Sequence, residues 1–466
     1  MPAPAVPGAA AEAAELELPL LTARGEQRTR ARETVHAVGG PPVASLSLAP
    51  DLLVAQTLAR QKRAAPLPAE ERARRLAEAA ERFLDDVLGG LAFAEHVRLV
   101  RRVSGHNAAL SERLSRAVAD AIAQAPDRAD RARPRGSVRS WREVGRGGGS
   151  GVWTRRGETL GAVLSGNTPT IQNGWLQALA LGYRVAVRPS RREPFTAHRV
   201  IAALRAAGFR DTDAAYLPTA RTGASAILRR ADLGLTYGGD AVKAEYAGSS
   251  TIKVGGPGRS KTLIARDRAT PRTVEAVAES VTALSGTACV NTTAVLVEGD
   301  HTGFARELAA LLGERAAERR GTEDHLGPRV ADEAAEALLA HLRGRPGARP
   351  VTPLDEVAAA HPEGGTVLGP AVLTVDGPGN PLLAAELPFP CVWVAPWTRE
   401  DGAGPLRDSL VVNAVTGDAE LIDALLRDPG ITNVHLDAPT VRGGGDLPHE
   451  DYIGGFLMRN KAVVTG

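Results

Sequence analysis

Between residues 160 and 254, short apolar runs alternate with amphipathic stretches, and this alternation constrains the fold more than any other feature. The apolar runs have the length of buried strands and lie at 160–165, 184–188, 233–237 and 251–254. The stretches between them have helical spacing and lie at 170–181, 194–207 and 240–246. Strands and helices that alternate at these lengths form βαβ units, which build parallel sheets. The sequence therefore predicts an α/β protein, with any ligand bound beyond the carboxyl ends of its strands.

A second unit follows, and it places one of only two cysteines between a helix and a strand. Residues 271–284 carry apolar side chains on one helical face, and residues 294–297 form a short apolar run. Cys289 lies at this junction, where a thiolate could attack a carbonyl, and is our candidate nucleophile. The alternative is a buried free cysteine that packs as a small hydrophobic residue, which is the commoner case for a lone cysteine.

Composition limits the classes of protein to which the chain can belong. Its 466 residues predict two or three domains, and 56 Lys+Arg against 54 Asp+Glu do not indicate nucleic-acid binding. The two cysteines give neither a disulfide framework nor metal-ligand spacing, so we expect a reduced, cytoplasmic protein without a metal. No apolar run approaches the eighteen residues of a membrane span, so we expect no membrane span.

The first 150 residues divide into three kinds of sequence. Residues 1–40 are rich in Ala, Pro, Gly and charge, and we expect a flexible N-terminal segment. Helical patterns follow at 51–62, 68–88, 93–103 and 111–122. Residues 131–151 then predict an extended excursion or hairpin, with an alternating run at 138–144 and a Gly-rich turn at 145–151. A phosphate-binding loop is the less favoured interpretation of that turn, because its spacing fits no phosphate-binding motif.

Five segments, taken together in their order and spacing, resemble the aldehyde dehydrogenase superfamily over roughly residues 150 to 440. They are Ser165-Gly-Asn-Thr-Pro169, Ala178-Leu-Ala-Leu-Gly-Tyr-Arg-Val-Ala-Val-Arg-Pro-Ser190, Thr236-Tyr-Gly-Gly239, Val254-Gly-Gly256 and Cys289. The resemblance implies an aldehyde dehydrogenase-like α/β fold with a dinucleotide-binding domain at 41–133 and 152–256 and a catalytic domain at 257–440. It also implies a bridging β-hairpin element at 134–151 and 441–466 that serves oligomerisation, so we expect a homo-oligomer.

The resemblance also assigns roles to individual residues. Asn167 matches the side-chain donor of the oxyanion hole, which the backbone N–H of Cys289 completes; a helix-capping asparagine is the alternative role. The positions expected to contact a nicotinamide dinucleotide are Ser165, Gly166, Arg188, Ser190, Arg191, Gly238, Gly239, Gly255 and Glu386. Among these, Glu386 matches the acid that holds the nicotinamide ribose.

Arg191 determines the expected cofactor. NAD-preferring relatives carry an acid there for the ribose hydroxyls, whereas an arginine can pair with a 2′-phosphate, so NADPH is favoured and NAD(H) is the alternative. In a chain this rich in arginine, the competing interpretation is that Arg188 and Arg191 are solvated surface residues.

Lys253 is the main departure from the family pattern. Hydrolytic members have a glutamate at this position, which activates the water that releases the acyl-enzyme, and an ammonium group is no base at neutral pH unless strongly desolvated. Because it lacks this glutamate, the chain resembles the reductive branch of the superfamily. That branch includes acyl-CoA reductases, the fatty-acyl reductase of bacterial luminescence and reductase partners of aryl-acid activating enzymes in antibiotic and pigment pathways.

The sequence thus predicts reduction of an acyl adenylate or thioester by NADPH to an aldehyde, through an acyl group on Cys289. The chain has no P-loop, so an AMP-forming acyl ligase partner would have to supply the activated acid. Two alternatives stay open. One is an NAD(P)-dependent aldehyde dehydrogenase that oxidises an aldehyde to an acid, which a carboxylate within reach of Cys289 would support. The other is a catalytically silent subunit that stabilises a ligase.

Overall fold

The computed structural model describes residues 16–220, 223–443 and 447–466. Its helices are α1 (Asp51–Arg63), α2 (Ala69–Asp85), α3 (Phe93–Ser104), α4 (Ala108–Ala123), α5 (Ala125–Asp130), α6 (Asn173–Ala180), α7 (Phe195–Ala206), α8 (Ala224–Arg230), α9 (Asp240–Tyr246), α10 (Pro271–Thr282), α11 (His301–Glu318), α12 (Asp332–Arg343), α13 (Ala419–Arg427) and α14 (Ile453–Leu457).

The strands of the same residues are β1 (Glu17–Leu18), β2 (Leu20–Thr22), β3 (Gly25–Gln27), β4 (Arg32–His36), β5 (Pro42–Ser47), β6 (Gly149–Arg155), β7 (Thr159–Val163), β8 (Arg184–Arg188), β9 (Ala214–Tyr216), β10 (Leu233–Tyr237), β11 (Ile252–Gly255), β12 (Ser260–Ile264), β13 (Thr292–Val297), β14 (Arg329–Val330), β15 (Ala348–Pro350), β16 (Ala358–Ala360), β17 (Thr366–Leu368), β18 (Ala371–Val375), β19 (Cys391–Pro396), β20 (Ser409–Val415), β21 (Ile431–Leu436) and β22 (Met458–Val464).

The first seven-stranded sheet has the order β11-β10-β7-β8-β9-β2-β3. Its first five strands pair in parallel, as the alternation between 160 and 254 predicts, and β2 and β3 join them antiparallel. Apolar side chains from the strands and from α6 and α7 form one core, in which Trp175, Val185 and Ile201 are fully buried. The carboxyl ends of β7, β8, β10 and β11 therefore lie along one edge of this sheet.

The prediction of a flexible segment over residues 1–40 is wrong for Glu17–His36, which contribute four strands. Leu18, Leu20 and Leu21 are almost completely buried, and Leu21 pairs with Tyr216 of β9. Burial of these side chains offsets the conformational entropy lost when the segment is ordered. This part of the chain consequently belongs to the first sheet and to the small sheet β1-β5-β4 beside it, and residues 1–15 lie outside the described residues.

The second seven-stranded sheet has the order β15-β18-β19-β13-β12-β20-β21, and only β15 pairs antiparallel. Helices α10 and α11 pack on it through a core that includes Val277, Val295 and Leu308. Strand β13 follows directly from the cysteine loop, so this loop lies at the amino edge of the second sheet.

The C-terminal strand β22 pairs antiparallel with β6 over seven residues, from Met458 opposite Arg155 to Val464 opposite Gly149. Strand β6 overlaps the predicted hairpin element only at residues 149–151 and continues to residue 155, and the prediction of an extended run at 138–144 is wrong. Residues Trp141–Glu143 form a 3₁₀ turn, because the Glu143 carboxylate accepts the N–H of Ser140 at 2.7 Å and of Arg139 at 3.0 Å. The Gly-rich segment is a turn, closed by a hydrogen bond from Gly148 N to Gly145 O.

No helix within residues 16–220, 223–443 and 447–466 is both long enough and apolar enough to cross a membrane. In the same part of the chain, no group of three His, Cys, Asp or Glu residues has an arrangement that could hold a metal ion.

Candidate active site

The cysteine loop is held in an unusual backbone conformation between α10 and β13. Leu284 and Ser285 both have left-handed φ values, 53° and 56°, which non-glycine residues rarely adopt. Asn291 stabilises the loop, because its side chain accepts the N–H of Ala288 at 2.8 Å and donates to Ala283 O at 2.7 Å. Asn291 is 2% exposed, so these contacts are shielded from water. Its role was not predicted from the sequence.

Cys289 is partly exposed at the end of this loop, whereas Cys391 is buried in β19. Burial raises the pKa of the Cys289 thiol to about 12, and the carboxylates of Glu386 and Glu450 add to the shift. The N–H groups of Cys289 and Val290 point at the sulfur and lower the pKa, but by less. Burial alone raises the pKa of Cys391. Of the two cysteines, only Cys289 lies among polar groups.

Asn167 follows β7 and reaches across to the cysteine loop. Its Nδ2 donates to Thr287 O at 3.2 Å, and its Oδ1 accepts from Ser165 Oγ at 2.7 Å. The side-chain amide is therefore fixed with its nitrogen toward the loop, and one of its two N–H groups is not used by the Thr287 contact. The structure brings Ser165, Asn167 and the loop of Cys289 together, while the oxyanion role of Asn167 stays a prediction.

The loop packs against a glycine from the opposite side. A Cβ built on Gly258 would lie 1.7 Å from Cys289 O, so no larger residue fits there without movement of the backbone. Ser260 Oγ donates to the same carbonyl oxygen at 2.9 Å. The peptide of Cys289 is thus held from the segment that connects β11 to β12.

The C-terminal segment supplies two site residues that were not predicted. His449 Nε2 lies 3.2 Å from Cys289 Sγ. Glu450 Oε1 accepts the N–H of Gly256 at 2.8 Å, and its Oε2 lies 4.0 Å from Lys253 Nζ. Loss of hydration lowers the pKa of the His449 imidazole even though the residue as a whole remains exposed, while the nearby Glu450 carboxylate raises it. No periodic pattern marks these residues in the sequence.

Several predicted cofactor residues meet at the carboxyl edge of the first sheet. A Cβ on Gly166 would lie 2.3 Å from Ser190 Oγ, and a Cβ on Gly255 would lie 2.4 Å from the Tyr237 ring. Gly238 N donates to Gly255 O at 3.0 Å. Gly166, Gly238 and Gly255 are half-exposed along the edge, and the lack of a side chain at these positions permits the close approach that a dinucleotide requires.

The two arginines after β8 differ in their contacts. Arg188 is half-buried, and its Nη2 lies 3.5 Å from Thr219 O. Arg191 is exposed and its Nη1 makes an ion pair with Glu33 Oε1 of β4 at 3.0 Å. The structure thus places an acid from the N-terminal segment beside the arginine expected to bind a 2′-phosphate.

Glu386 points at the backbone beside Cys289. Its carboxylate accepts the N–H of Arg259 at 2.8 Å and of Gly258 at 3.1 Å. Burial raises the pKa of Glu386, and these two hydrogen bonds lower it. A carboxylate offers about four acceptor positions, so Glu386 can still bind a ribose hydroxyl. The acceptor oxygens of Glu386, the guanidinium of Arg188 and the glycine-lined edge of the first sheet together fit a nicotinamide dinucleotide.

The family is decided by a sequence match over residues 49–404 to the family model described as the aldehyde dehydrogenase family, well over half of the chain. The chain belongs to the aldehyde dehydrogenase family. It is therefore an oxidoreductase of that family, and its fold is the α/β aldehyde dehydrogenase fold with parallel-sheet domains. No curated protein sequence matches the chain.

Solved aldehyde dehydrogenases share this fold at low sequence identity. The NAD-dependent aldehyde dehydrogenase from Sinorhizobium meliloti is 17% identical with a TM-score of 0.78, over 96% of this chain and 94% of that one. The structure of 3,6-anhydro-L-galactose dehydrogenase in complex with NAP is 15% identical with a TM-score of 0.77, over 97% of this chain and 100% of that one. The structure of 1-pyrroline-5-carboxylate dehydrogenase from Thermus with bound NAD is 16% identical with a TM-score of 0.76, over 96% of this chain and 93% of that one. Similarity at this identity concerns the fold.

Proposed function

We propose that the chain oxidises an aldehyde to a carboxylic acid with NAD(P) as hydride acceptor, through a covalent adduct on Cys289. The observation that carries this proposal is the placement of two carboxylates beside the cysteine loop. Glu386 accepts the N–H of Gly258, which packs on Cys289, and Glu450 accepts the N–H of Gly256. Hydrolysis of an acyl-enzyme needs a proton acceptor near the sulfur, and Lys253 does not supply one. Glu450, which lies beside Lys253, has the chemistry required.

The residues of the chain divide the reaction between the two sheets. Cys289 adds to the aldehyde carbon, and the resulting alkoxide receives hydrogen bonds from Asn167 Nδ2 and from the N–H of Cys289. Loss of one such donor typically costs about 10²- to 10³-fold in kcat. Loss of the hydride from the former aldehyde carbon, to the nicotinamide that the chain would hold, would leave a thioester on Cys289. Water then attacks the thioester while a carboxylate takes the proton of that water, and the C–S bond breaks to release the acid and return the sulfur of Cys289 as a thiolate.

A bound nicotinamide dinucleotide supplies hydride transfer in this scheme. The residues that would hold it lie along the carboxyl edge of the first sheet, namely Ser165, Gly166, Arg188, Ser190, Arg191, Gly238, Gly239 and Gly255, with Glu386 from the second unit. We propose NADP(H) as the preferred form, because Arg188 and Arg191 offer positive charge to a 2′-phosphate. The ion pair with Glu33 does not prevent this, since an exposed pair contributes only about 0 to 1 kcal/mol.

A second candidate is reduction of an activated carboxylic acid to an aldehyde, and Lys253 on β11 favours it. Without a carboxylate at this position, an acyl group on Cys289 would persist until hydride reached it. This reaction requires an acyl adenylate or thioester, so an acyl ligase partner belongs to this candidate and not to the first. An aryl or alkyl acid is compatible with it, and so is a homo-oligomer built through β6 and β22.

The test is a two-direction assay with Cys289→Ala and Cys391→Ala as a matched pair. The wild-type chain is incubated with a panel of aldehydes and NAD(P)⁺, and separately with acyl-CoA thioesters and acyl adenylates and NAD(P)H. We expect aldehyde oxidation that Cys289→Ala abolishes and Cys391→Ala retains.

The other outcomes of this assay are equally informative. Aldehyde formation from activated acids, without oxidation in the other direction, supports the second candidate. Absence of both reactions, together with no covalent adduct on Cys289 by intact mass spectrometry, supports the silent subunit and refutes the proposal.

A further inference from the structure

His449 is the one imidazole among the described residues that contacts the sulfur of Cys289, with 3.2 Å between Nε2 and Sγ. Its backbone is fixed by Asn433, whose Nδ2 donates both to His449 O and to Leu410 O, the latter at 2.9 Å. Because Asn433 lies in β21 of the second sheet, the imidazole is held by the same unit that carries the cysteine loop.

Cys289 needs a base beside its sulfur in order to act as a nucleophile at neutral pH. Burial raises the pKa of the Cys289 thiol to about 12, so the thiol is protonated at pH 7, whereas the thiolate is the nucleophilic form. Desolvation and the charges of Glu386 and Glu450 all oppose ionisation. A base in direct contact with Sγ lowers this barrier, because the proton then has an acceptor at the moment of attack.

The groups that face His449 suit it to be that base. Loss of hydration and the charge of Lys253 lower the pKa of its imidazole, which keeps the ring neutral and able to accept a proton at pH 7. The Glu450 carboxylate raises the same pKa and so stabilises the imidazolium once it forms. Tyr237 also faces Cys289 and Glu450, and burial raises the pKa of its phenol, so it stays protonated.

We propose that His449 is the general base that activates Cys289, that Asn433 positions it, and that the charge of the neighbouring Glu450 stabilises the imidazolium. The S–H bond of Cys289 breaks as Nε2 of His449 takes the proton, and the sulfur uses the freed electron pair to form a bond with the carbonyl carbon. The imidazolium then releases the proton to solvent, to which His449 is exposed. This inference rests on the proposed nucleophilic role of Cys289 but not on the direction of the overall reaction.

The test is alkylation of Cys289 by iodoacetamide, which requires neither aldehyde nor cofactor. All proteins carry Cys391→Ala, so that a single thiol reacts, and the rate is followed by intact mass between pH 5 and pH 9. We expect His449→Gln to slow alkylation at pH 7 by 10-fold or more and to move the rise in rate to higher pH. The matched control is His435→Gln, since His435 lies in β21 and contacts Pro439 O instead of the sulfur. Its profile should equal that of the parent.

A second measurement separates a chemical from a structural role. In His449→Ala, added imidazole should restore part of the alkylation rate at pH 7. Identical profiles for the parent and His449→Gln, or no rescue by imidazole, would overturn the inference. If the profiles differ as expected but no aldehyde is oxidised, only the proposed function fails. If aldehydes are oxidised at the same rate with or without His449, only this inference fails.

Discussion

Replacement of Gly258 by alanine tests how tightly the cysteine loop is held. The added Cβ would lie 1.7 Å from Cys289 O, 2.4 Å from its carbonyl carbon and 2.6 Å from its Cα. Neither side can yield easily, because Glu386 holds the N–H of Gly258 and Ser260 holds the oxygen of Cys289. An ordinary contact of a Cβ atom is 3.4 Å or longer, so the two backbones must separate by roughly 1.7 Å.

That displacement predicts effects on both stability and catalysis. Overpacking of this kind typically costs about 1 to 3 kcal/mol of folding free energy. Misplacement of a reacting atom by 1 Å can cost about 10²-fold in rate. We therefore expect Gly258→Ala to lower kcat by about 100-fold and to slow alkylation of Cys289 by iodoacetamide.

Two further glycines serve as controls. A Cβ on Gly327 would lie 1.6 Å from Leu368 O, so Gly327→Ala carries an equally severe clash that does not involve the cysteine loop. It should lower the unfolding temperature with a smaller effect on alkylation of Cys289. Gly313 lies exposed in α11 with nothing within 4 Å of its added Cβ, so Gly313→Ala should raise stability by up to about 1 kcal/mol.

The assay measures kcat, alkylation rate and unfolding temperature for the three variants and the wild type. Unchanged kcat and alkylation in Gly258→Ala would refute the packing described for Cys289.

Three further predictions concern the base, the cofactor and the acid sensitivity of the fold. An acyl group loaded on Cys289 from a synthetic thioester should hydrolyse rapidly in the wild type, and the Lys253→Glu variant should hydrolyse it only a little faster. If the wild type instead hydrolyses the acyl-enzyme slowly and Lys253→Glu accelerates hydrolysis by about 10²- to 10⁴-fold, acyl reduction is favoured. Arg191→Glu should weaken NADPH binding by about tenfold or more and leave the affinity for NADH unchanged, since charge-assisted hydrogen bonds contribute about 1.5 to 3 kcal/mol each. Titration of the wild type and the variant with both cofactors measures this, and a wild-type preference for NADH would contradict the prediction. The free energy of unfolding, measured in urea, should decline as the pH falls from 6.5 toward 4. Burial keeps three histidines neutral in the folded state while the same residues take up protons in the unfolded chain, so each lowers the free energy of unfolding by about 2 kcal/mol at pH 5. An unfolding midpoint that is equal at pH 7 and pH 5 would contradict this prediction. Burial lowers the pKa to about 3 in His96 and to about 4 in His106 and His198.

The sequence predicted those parts of the fold in which local pattern and tertiary contacts agree. The runs that became β7, β8 and β10 are buried at four of their five residues, as strands covered on both faces require. The helix before Cys289 was visible from its apolar face, although the left-handed turn at Leu284 and Ser285 was not, because neither residue favours that conformation.

The missed features all depend on partners that are distant in sequence. Strands in the N-terminal segment are two to six residues long, and their burial is decided by strands such as β9 rather than by their own periodicity. His449 lies 160 positions from Cys289, and Glu33 lies 158 positions from Arg191. A lone histidine or glutamate in a polar loop gives no local signal of such contacts, so only the folded chain shows that they meet. Within the predicted bridging element at 441–466, residues 444–446 lie outside the described residues.

The position of β2 at the edge of β9 has a consequence for synthesis of the chain. Leu21 cannot pair until Tyr216 has left the ribosome, and translation of the intervening residues takes roughly 10 to 40 s at 5–20 residues per second. During that interval Leu20 and Leu21 of β2, both buried in the native fold, lack the large sheet in which β2 pairs with β9. The nascent chain therefore presents an apolar stretch of the kind that chaperones bind, well before its active-site residues have been made.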